Sequence, residues 1–260
     1  MKKRPRCLES EQGHFIVGLT NTGKRMRLGT TIFSTEALMT TANQGCDIGR
    51  YFFYQTSDRM DFDENVLVIP EEILNDIVQF EGFVSDADHL IDRILSSNHL
   101  SFRPREQMEL NPSFKQLIPY VILEYQNRGA EPQLFTYTRG SNQGESRLHK
   151  KRSIGIGGHI CEQDTQGSNN PYLVGLRREL AEEIKIEDLY SLQSLGLLYD
   201  SSNEVGRVHL GIVHRISLSR PAVSSNERGI NEAKFTPISA LKSHHMSLET
   251  WSQICLDCLY

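Results

Sequence analysis

The chain has 260 residues, of which 38% are hydrophobic and 23% charged, and its formal net charge is −5. This composition excludes collagen-like, low-complexity and disulfide-stapled classes, because five scattered cysteines cannot cross-link a core of this size and instead favour a reducing compartment, the cytoplasm. A membrane partner is not expected, since the apolar run at 117–123 is interrupted by Pro119 and is far shorter than the roughly 20 residues that cross a bilayer.

The first 59 residues differ from the remainder in charge and in pattern. They hold nine basic and five acidic residues, whereas the rest of the chain holds 19 and 28, and their apolar residues follow neither a strand nor a helix period. We expect residues 1–59 to form a poorly ordered or peripheral extension without a secretory signal. A sharper hypothesis makes Met60 the biological start, which the intact mass of the native protein would test. The alternative is a basic tail that contacts an anion, and no motif of a nucleic-acid reader supports more.

Residues 60–110 are predicted to form a helical region packed on the core. A short buried strand at 66–69 precedes a helix over 71–80, in which apolar residues recur at helical spacing. Either Asp86 or Asp88 is positioned to cap a second helix.

Residues 111–260 are predicted to form the main domain. Turn and loop signals precede it at 102–105 and begin it at 111–112. A helix over 172–186 interrupts a series of apolar runs that have the length of strands. These predicted strands are 120–125, 133–138, 153–156, 191–199 and 208–216. Because strands and a helix alternate, the class is α/β or α+β with a mixed sheet.

Three carboxylates of the predicted helix share one edge of its buried face. The buried stripe consists of Leu173, Leu176, Leu180 and Ile184. Glu179, Glu182 and Glu183 lie beside it at spacings i, i+3 and i+4, where like charges repel one another. A hard divalent cation such as Mg²⁺, which takes oxygen ligands, would reverse that repulsion.

The strand before this helix ends in glycines, Gly155-Ile156-Gly157-Gly158. Without a Cβ, such a strand end can approach the helix closely and offer a backbone carbonyl as a metal ligand. Taken alone, the acidic string is a common surface-helix sequence, and a Gly-Gly pair is commonly a turn. Their joint occurrence between two apolar strands is what favours a site.

This segment resembles the signature of the Nudix hydrolases, a Gly and a Glu followed by Arg-Glu-aliphatic-x-Glu-Glu-x-Gly-aliphatic. Gly158 matches the leading Gly, the run 178–183 matches the acidic core without a substitution, and Ile186 matches the closing aliphatic position. Lys185 replaces the last signature Gly.

The chain also departs from the signature in its loop. About six extra residues separate Gly158 from Arg178, so the first signature Glu falls on Asp164 when counted forward and on Asn170 when counted back. In the family this residue supports the loop by pairing with the signature Arg. The departure therefore concerns loop geometry more than metal binding.

The resemblance implies a Nudix-like α/β/α sandwich around a mixed β-sheet, with residues 60–110 as an N-terminal helical extension and 111–260 as the Nudix hydrolase domain. It implies metal-dependent hydrolysis of a diphosphate bond in a nucleoside diphosphate linked to another moiety, by attack of water at phosphorus. The implied cofactor is Mg²⁺ or Mn²⁺. The implied partner is a small-molecule diphosphate, with no nucleic acid, and a homodimer is left open.

The resemblance also implies roles for particular residues. The catalytic group comprises Arg178, Glu179, Glu182 and Glu183. The metal ligands comprise the Gly157 carbonyl, Glu179, Glu182, Glu183 and a further acid from another loop, for which Glu204 is the first candidate and Asp200 and Glu232 are alternatives. The substrate-binding group comprises the basic cluster before the glycine strand and the start of the loop, namely Arg147, Lys150, Lys151, Arg152, Gly158 and His159.

Two other functions remain open at this point. The rival from another class is a non-catalytic Nudix-like protein that senses a nucleotide sugar and regulates a partner. An isopentenyl-diphosphate-isomerase-like enzyme ranks third, because a catalytic Cys in a suitable context is not evident. The pair Cys255 and Cys258 has a metal-like spacing but lacks a second pair, so it does not predict zinc.

Overall fold

The computed structural model describes residues 64–139, 151–226 and 230–260. It also describes the backbone of three short strands nearer the N-terminus, β1 (Phe15–Val17), β2 (Arg25–Leu28) and β3 (Thr31–Ser34). The other residues of the predicted extension lie outside the described part of the chain, as do Arg147 and Lys150 of the basic cluster.

Strands and helices alternate along the described residues. The strands are β4 (Asn65–Pro70), β5 (Gly82–Ser85), β6 (Ser101–Pro104), β7 (Phe114–Tyr125), β8 (Gln133–Arg139), β9 (Arg152–Ser153), β10 (Gly155–Ile156), β11 (Ile184–Ile186), β12 (Tyr190–Tyr199), β13 (His209–Leu218), β14 (Val223–Ser225) and β15 (Ile230–Pro237). The helices are α1 (Glu71–Ile77), α2 (Asp88–Leu95), α3 (Arg105–Met108), α4 (Pro171–Glu183), α5 (Glu204–Arg207), α6 (Ile238–Ser243) and α7 (Thr250–Leu259), with 3₁₀ turns at Glu162–Thr165 and His245–Ser247.

The main sheet has 11 strands and is mixed, as predicted. Its longest path runs β1-β12-β13-β7-β4-β6, and the strands β5, β8, β9, β10 and β15 attach to this path. The pair β7–β13 is parallel, in register from Gln116 beside His209 to Tyr125 beside Leu218, whereas the other pairs are antiparallel. Strand β7 therefore lies at the centre, with β4 beside its first three residues and β8 beside its last two.

Helices cover both faces of this sheet. One apolar cluster contains the buried residues of α1, α2 and α4, among them Leu176 and Leu180. A second contains those of α6 and α7, among them Leu256. Successive residues of β7 alternate between them, because Ile122 belongs to the second cluster and Leu123 to the first. This layering is the predicted α/β/α sandwich.

The N-terminal region contributes strands as well as helices to this sandwich. Strand β4 pairs with both β6 and β7, and β5 pairs with β12, so the region is continuous with the sheet of the main domain. Helix α1 ends at Ile77 rather than at residue 80, because the backbone becomes extended at Val78. The expected cap of α2 is wrong, since Ala87 precedes the helix without a side-chain cap and Asp86 has a positive φ of 52°.

Two further boundaries differ from expectation. The segment 102–105, expected as a turn, completes β6 and begins α3, because Phe102 pairs with Leu67 of β4. Helix α4 ends at Glu183, and the last three residues predicted as helix form β11, which pairs with β14. Within the described residues, no helix combines the length and the apolar character needed to cross a membrane.

Candidate functional site

Helix α4 begins at a side-chain cap and packs one face on the sheet. The side chain of Asn170 accepts a hydrogen bond from the backbone N–H of Leu173 at 3.0 Å, and Pro171 occupies the first turn, which is a typical helix start. Leu176 and Leu180 are buried against the sheet. The adjoining edge of the helix carries the signature Arg and Glu residues.

Asp164 holds the signature arginine from the loop. Its carboxylate is 3% exposed and accepts hydrogen bonds from Nε and Nη2 of Arg178 at 2.9 and 3.0 Å, and from the backbone N–H of Cys161 at 2.8 Å. Asp164 therefore makes the contact that the family's first signature Glu makes. Asn170, the other candidate from the sequence count, caps the helix instead, so the extra residues lie after Asp164.

Arg178 connects this loop to the glutamates. Its Nη1 donates to Glu179 Oε1 at 2.7 Å and to Glu182 Oε2 at 3.1 Å, and its Nη2 donates to the backbone carbonyl of His159 at 2.8 Å. Two of the three signature carboxylates thus converge on one guanidinium nitrogen. The arrangement fixes both the loop and the carboxylates in one network.

Glu179 lies in a mostly dry environment. Its side chain is 15% exposed, and burial raises its pKa to about 7, with smaller contributions from Glu182 and Glu64 and with Arg178 opposing the shift. The glycine at 158 permits this placement, because a Cβ there would lie 2.3 Å from Glu179 Oε2. The prediction that a bare backbone approaches the helix is therefore confirmed at Gly158.

The other predicted ligands differ in their surroundings. The Glu182 side chain is 55% exposed, whereas Glu183 is buried. Gly157 packs on the sheet, where a Cβ would lie 1.7 Å from the carbonyl oxygen of Pro119. These positions give the edge of α4 one exposed carboxylate, Glu182, and two largely buried ones, Glu179 and Glu183, beside a glycine backbone.

Arg152 lies on the opposite side of the sheet from α4. Its guanidinium donates to the hydroxyls of Thr136 and Thr236 at 2.8 and 3.3 Å. Tyr137 belongs to the cluster beneath α4, so Thr136, its neighbour in β8, points to the other face. Lys151 donates to the backbone carbonyl of Met246 at 3.2 Å. Arg152 is thus held by side chains of β8 and β15, whereas Lys151 contacts the 3₁₀ turn at His245–Ser247.

Two of the three candidates for a further acidic ligand, Asp200 and Glu204, lie in the connection between β12 and β13, and the third, Glu232, lies in β15. Asp200 is buried and organises its own turn by accepting hydrogen bonds from the following loop. Glu232 accepts a hydrogen bond from Thr138 at 3.0 Å on the surface of β15. Glu204 begins α5, just before His209 at the start of β13.

Glu64 is a site residue that the sequence did not indicate. Its carboxylate accepts a hydrogen bond from the Cys161 thiol at 2.6 Å and forms an ion pair with Arg105 at 2.9 Å. Burial and this contact raise the pKa of Cys161 well above its usual range, so the thiol stays protonated. No local pattern in the sequence marks Glu64, which directly precedes β4.

A second cluster was also missed, because its members are distant in sequence. The Nε2 atoms of His159 and His209 lie 3.3 Å apart, and Glu109 Oε1 lies 3.8 Å from His159 Nε2. Burial lowers the pKa of His159 well below its usual value, and the nearby Arg105 and His209 add to the effect. These three side chains form a possible metal-binding triad.

Comparisons with known proteins identify relatives for most of the chain. No protein-family model matches it. Protein YmaB of Bacillus subtilis (strain 168) is 36% identical over 207 residues, a match that covers 76% of this chain and 98% of YmaB. Among solved structures, Tm1382, a protein assigned to the Nudix hydrolases, has a TM-score of 0.63 and 29% identity, covering 75% of this chain and 98% of Tm1382.

A more distant structure is the NUDIX domain of Shewanella oneidensis NrtR in complex with ADP ribose. Its TM-score is 0.40 at 16% identity, covering 50% of this chain and 77% of that one, so it carries no argument about a ligand here. The closer similarities agree with the acidic string on α4 and with the arginine that Asp164 holds. The chain belongs to the Nudix hydrolase family.

Proposed function

We propose that the protein hydrolyses a diphosphate bond in a nucleoside diphosphate linked to another moiety, with Mg²⁺ or Mn²⁺ as cofactor. The observation that carries the proposal is the network in which Arg178 holds Glu179 and Glu182 while Gly158 leaves room for the Glu179 carboxylate. The cytoplasm is the proposed location, and the three described cysteines, all free thiols, are compatible with a reducing compartment.

The donor set on α4 fits a hard divalent cation. Glu179, Glu182 and Glu183 offer carboxylate oxygens, the Gly157 carbonyl offers a backbone oxygen, and Glu204 is the proposed acid from another loop. The raised pKa of Glu179 shows that its negative charge is poorly solvated. When bound, the cation would neutralise the diphosphate and lower the pKa of a water molecule.

Within this arrangement, Glu179 is suited to receive the proton of the attacking water. Burial raises the pKa of Glu179 to about 7 in the metal-free chain, close to the working pH at which a general base is most effective, so Glu179 can take up this proton when it is not itself a ligand of the cation. Arg178 keeps the carboxylate oriented, and Asp164 keeps Arg178 in place. Water then attacks phosphorus, and the other phosphoryl group leaves with the bridging oxygen.

Substrate contacts are proposed at the start of the loop, at the backbone of Gly158 and His159, since Gly158 adjoins Glu179. Arg147 and Lys150 remain proposals as phosphate partners, and so does Lys151, whose exposed side chain donates a hydrogen bond to the carbonyl of Met246. Arg152 is not included, because its guanidinium is held by Thr136 and Thr236.

The test is turnover on a panel of nucleoside triphosphates, dinucleotides, ADP-ribose and sugar nucleotides, with Mg²⁺ or Mn²⁺, for wild type and Glu182→Gln. Glu182 is suitable because its side chain is 55% exposed, so the fold should tolerate the change. Mutation of an outer-shell partner of a metal typically lowers metal affinity or activity by about 10–100-fold. Loss of a direct ligand should therefore lower kcat/KM by at least about 100-fold. Glu187→Gln, which alters an exposed glutamate beyond the helix, is the matched control.

The outcomes separate the two functional classes. Metal-dependent turnover that falls in Glu182→Gln and persists in Glu187→Gln would support the hydrolase. Binding of a nucleotide sugar without turnover in any variant would favour the sensor. Turnover that is unaffected by Glu182→Gln, or that persists after chelation, would refute the assignment of the signature glutamates.

A further inference from the structure

Three atoms of the kind that ligate metals lie close together beside the signature loop, which is the segment 157–170 between β10 and α4. They are separate from the carboxylate edge of α4, which is formed by Glu179, Glu182 and Glu183. The three atoms are Glu109 Oε1, His159 Nε2 and His209 Nε2, and all lie within 4.8 Å of one another. The residues come from three places in the chain, namely the C-terminus of α3, the loop after β10 and the first position of β13. Their meeting is therefore a product of the tertiary fold rather than of a local motif.

The orientation of His209 is fixed by the backbone. Its Nδ1 lies 2.7 Å from the carbonyl oxygen of Val205, and a carbonyl can only accept a hydrogen bond. Nδ1 therefore carries the proton, and Nε2 presents its lone pair toward His159 and Glu109. A histidine held through one nitrogen by a carbonyl, with the other nitrogen presented inward, is the usual arrangement of a metal ligand.

The spacing of the ligand atoms matches a small tetrahedral site. Two nitrogens bonded to Zn²⁺ at about 2.0–2.1 Å in tetrahedral geometry lie roughly 3.3 Å apart. The two Nε2 atoms of His159 and His209 are 3.3 Å apart. Glu109 Oε1 is slightly farther, 3.8 Å from His159 Nε2, and its side chain is 31% exposed, so a small rotation can close the set.

Gln116, beside His209 in the sheet, carries a polar side chain that lacks a partner in the described part of the chain. Its side chain is fully buried, and among the described residues neither its amide nitrogen nor its amide oxygen has a hydrogen-bond partner. An amide buried in this way costs about 1–3 kcal/mol unless it is satisfied. Gln116 is the register neighbour of His209 across β7 and β13, so both side chains leave the sheet from the same face.

We propose that Glu109, His159 and His209 bind a Zn²⁺ ion, with Gln116 as an outer-shell partner of that ion or of its bound water. Two imidazoles and one carboxylate form a donor set that suits Zn²⁺, whereas Mg²⁺ prefers oxygen ligands alone. The site is therefore distinct in chemistry from the carboxylate edge of α4. It does not depend on the proposed hydrolase activity.

The bound ion would hold the signature loop in one conformation. The carbonyl of His159 accepts a hydrogen bond from Arg178 at 2.8 Å, and Gly158, the preceding residue, lies against Glu179. Fixing the His159 ring would therefore fix the backbone that Arg178 and Glu179 contact. Because the ion would bind only the folded chain, it should also raise the melting temperature.

The same contacts allow a rival arrangement without metal. His159 Nε2 can donate a hydrogen bond to His209 Nε2 at 3.3 Å, so that the two histidines form a hydrogen-bond relay beside Glu109, whose Oε1 is 3.8 Å away. Arg105 Nε lies 3.4 Å from Glu109 Oε1 and brings a positive charge close to the cluster. The carboxylate of Glu64, which forms an ion pair with Arg105 at 2.9 Å, offsets that charge. Metal binding must therefore be measured directly.

The experiment uses the full chain stripped with a chelator and then dialysed against Zn²⁺ in a large excess of Mg²⁺. Bound zinc is counted by mass spectrometry of the elements, and Co²⁺ is used separately because its visible bands report tetrahedral nitrogen and oxygen ligands. Glu109→Gln and His209→Gln should each weaken binding by at least about 100-fold. Glu109 is the safer variant for the fold, since it is half-exposed at the end of α3.

Matched controls isolate the triad. Glu106→Gln changes an exposed glutamate of the same helix, and His245→Gln changes a histidine that pairs with Asp257 at 3.0 Å. Both should retain the zinc, the cobalt bands and the rise in melting temperature. Glu182→Gln should retain them too, which separates this site from the proposed active site.

Several results would overturn the proposal. Zinc stoichiometry and cobalt spectra that are equal in wild type, Glu109→Gln and His209→Gln would place the ion elsewhere. Loss of zinc in Glu182→Gln alone would assign it to the carboxylate edge of α4. Absence of zinc binding in folded wild type would leave the relay as the role of the two histidines.

Discussion

Replacing Asp164 by Asn tests the residue that anchors the signature arginine. The change keeps the size of the side chain but removes its charge, and it turns one of its two acceptors into a donor. In the wild-type chain, Asp164 accepts two hydrogen bonds from Arg178 and one from the backbone N–H of Cys161. An Asn can satisfy only part of this set, so one guanidinium N–H loses its acceptor.

The expected loss follows from the burial of the two partners. Removing one partner of a fully buried ion pair costs about 3–5 kcal/mol. Here Asp164 is 3% exposed, but Arg178 is 29% exposed and keeps its contact with Glu179, so part of the stranded charge is screened. We expect a loss of about 2–3 kcal/mol, which lowers the melting temperature of a domain of this size by roughly 5–10 °C.

Urea denaturation and calorimetry of the chelator-treated protein measure this loss. Asp92→Asn, on the exposed side of α2, is the control and should stay within about 0.5 kcal/mol of wild type. Asp164→Glu, which introduces the residue type of the family signature, should also lower stability. The Asp164 carboxylate packs closely on Gly175, since a Cβ at Gly175 would lie 2.5 Å from Oδ2, so the longer Glu side chain would be overpacked there. A stability of Asp164→Asn within about 1 kcal/mol of wild type would refute the anchoring role.

Three further changes test other parts of the structure. Gly158→Ala should leave stability nearly unchanged, because the Glu179 carboxylate can move away from the added Cβ. Turnover should nevertheless fall by about 100-fold, because the displaced Glu179 carboxylate is no longer correctly placed. Unchanged kinetics would contradict the close contact between Gly158 and Glu179. Burial lowers the pKa of His214 to about 4 in the folded chain, whereas a histidine in the unfolded chain has a pKa of about 6.5. As the pH falls from about 6.5 to 4, the unfolded chain therefore binds a proton that the folded chain does not, and roughly 3 kcal/mol of the free energy of unfolding is lost. His214→Gln, which still offers Tyr172 a partner, should flatten that part of the pH–stability curve, and an unaltered slope would exclude His214 as its cause. Asn170→Ala should destabilise by about 1 kcal/mol in urea titrations, and no change would exclude the capping role.

The carboxylate edge of α4 was predictable because its signal is local. The spacing of Glu179 and Glu182 and the glycine at 158 lie within one short segment, and helix periodicity places them relative to the core. The choice between Asp164 and Asn170 was not predictable, since counting along the chain cannot show which loop residue folds back to Arg178. Only the hydrogen bonds of the folded loop decide it.

Features that depend on distant partners were missed or misplaced. Residues 184–186 continue the helical pattern in sequence, but the alternation Ile-Lys-Ile pairs with β14, and strand pairing outweighs local propensity there. Glu64, Glu109 and His209 carry no motif of their own. They come together because the start of β4, the end of α3 and the start of β13 meet beside the loop that carries His159 and Cys161, which the sequence alone does not show.

The parallel pairing of β7 with β13 has a consequence for how the chain folds. Residues 116 and 209 lie side by side, yet the signature loop, α4 and β12 all occur between them in the chain. Closing so long a loop before its contacts form carries an entropic cost, and non-local parallel pairing slows folding. We therefore expect the hairpin of β7 and β8 to form early and the candidate site to assemble late, when β13 docks and brings His209 to His159.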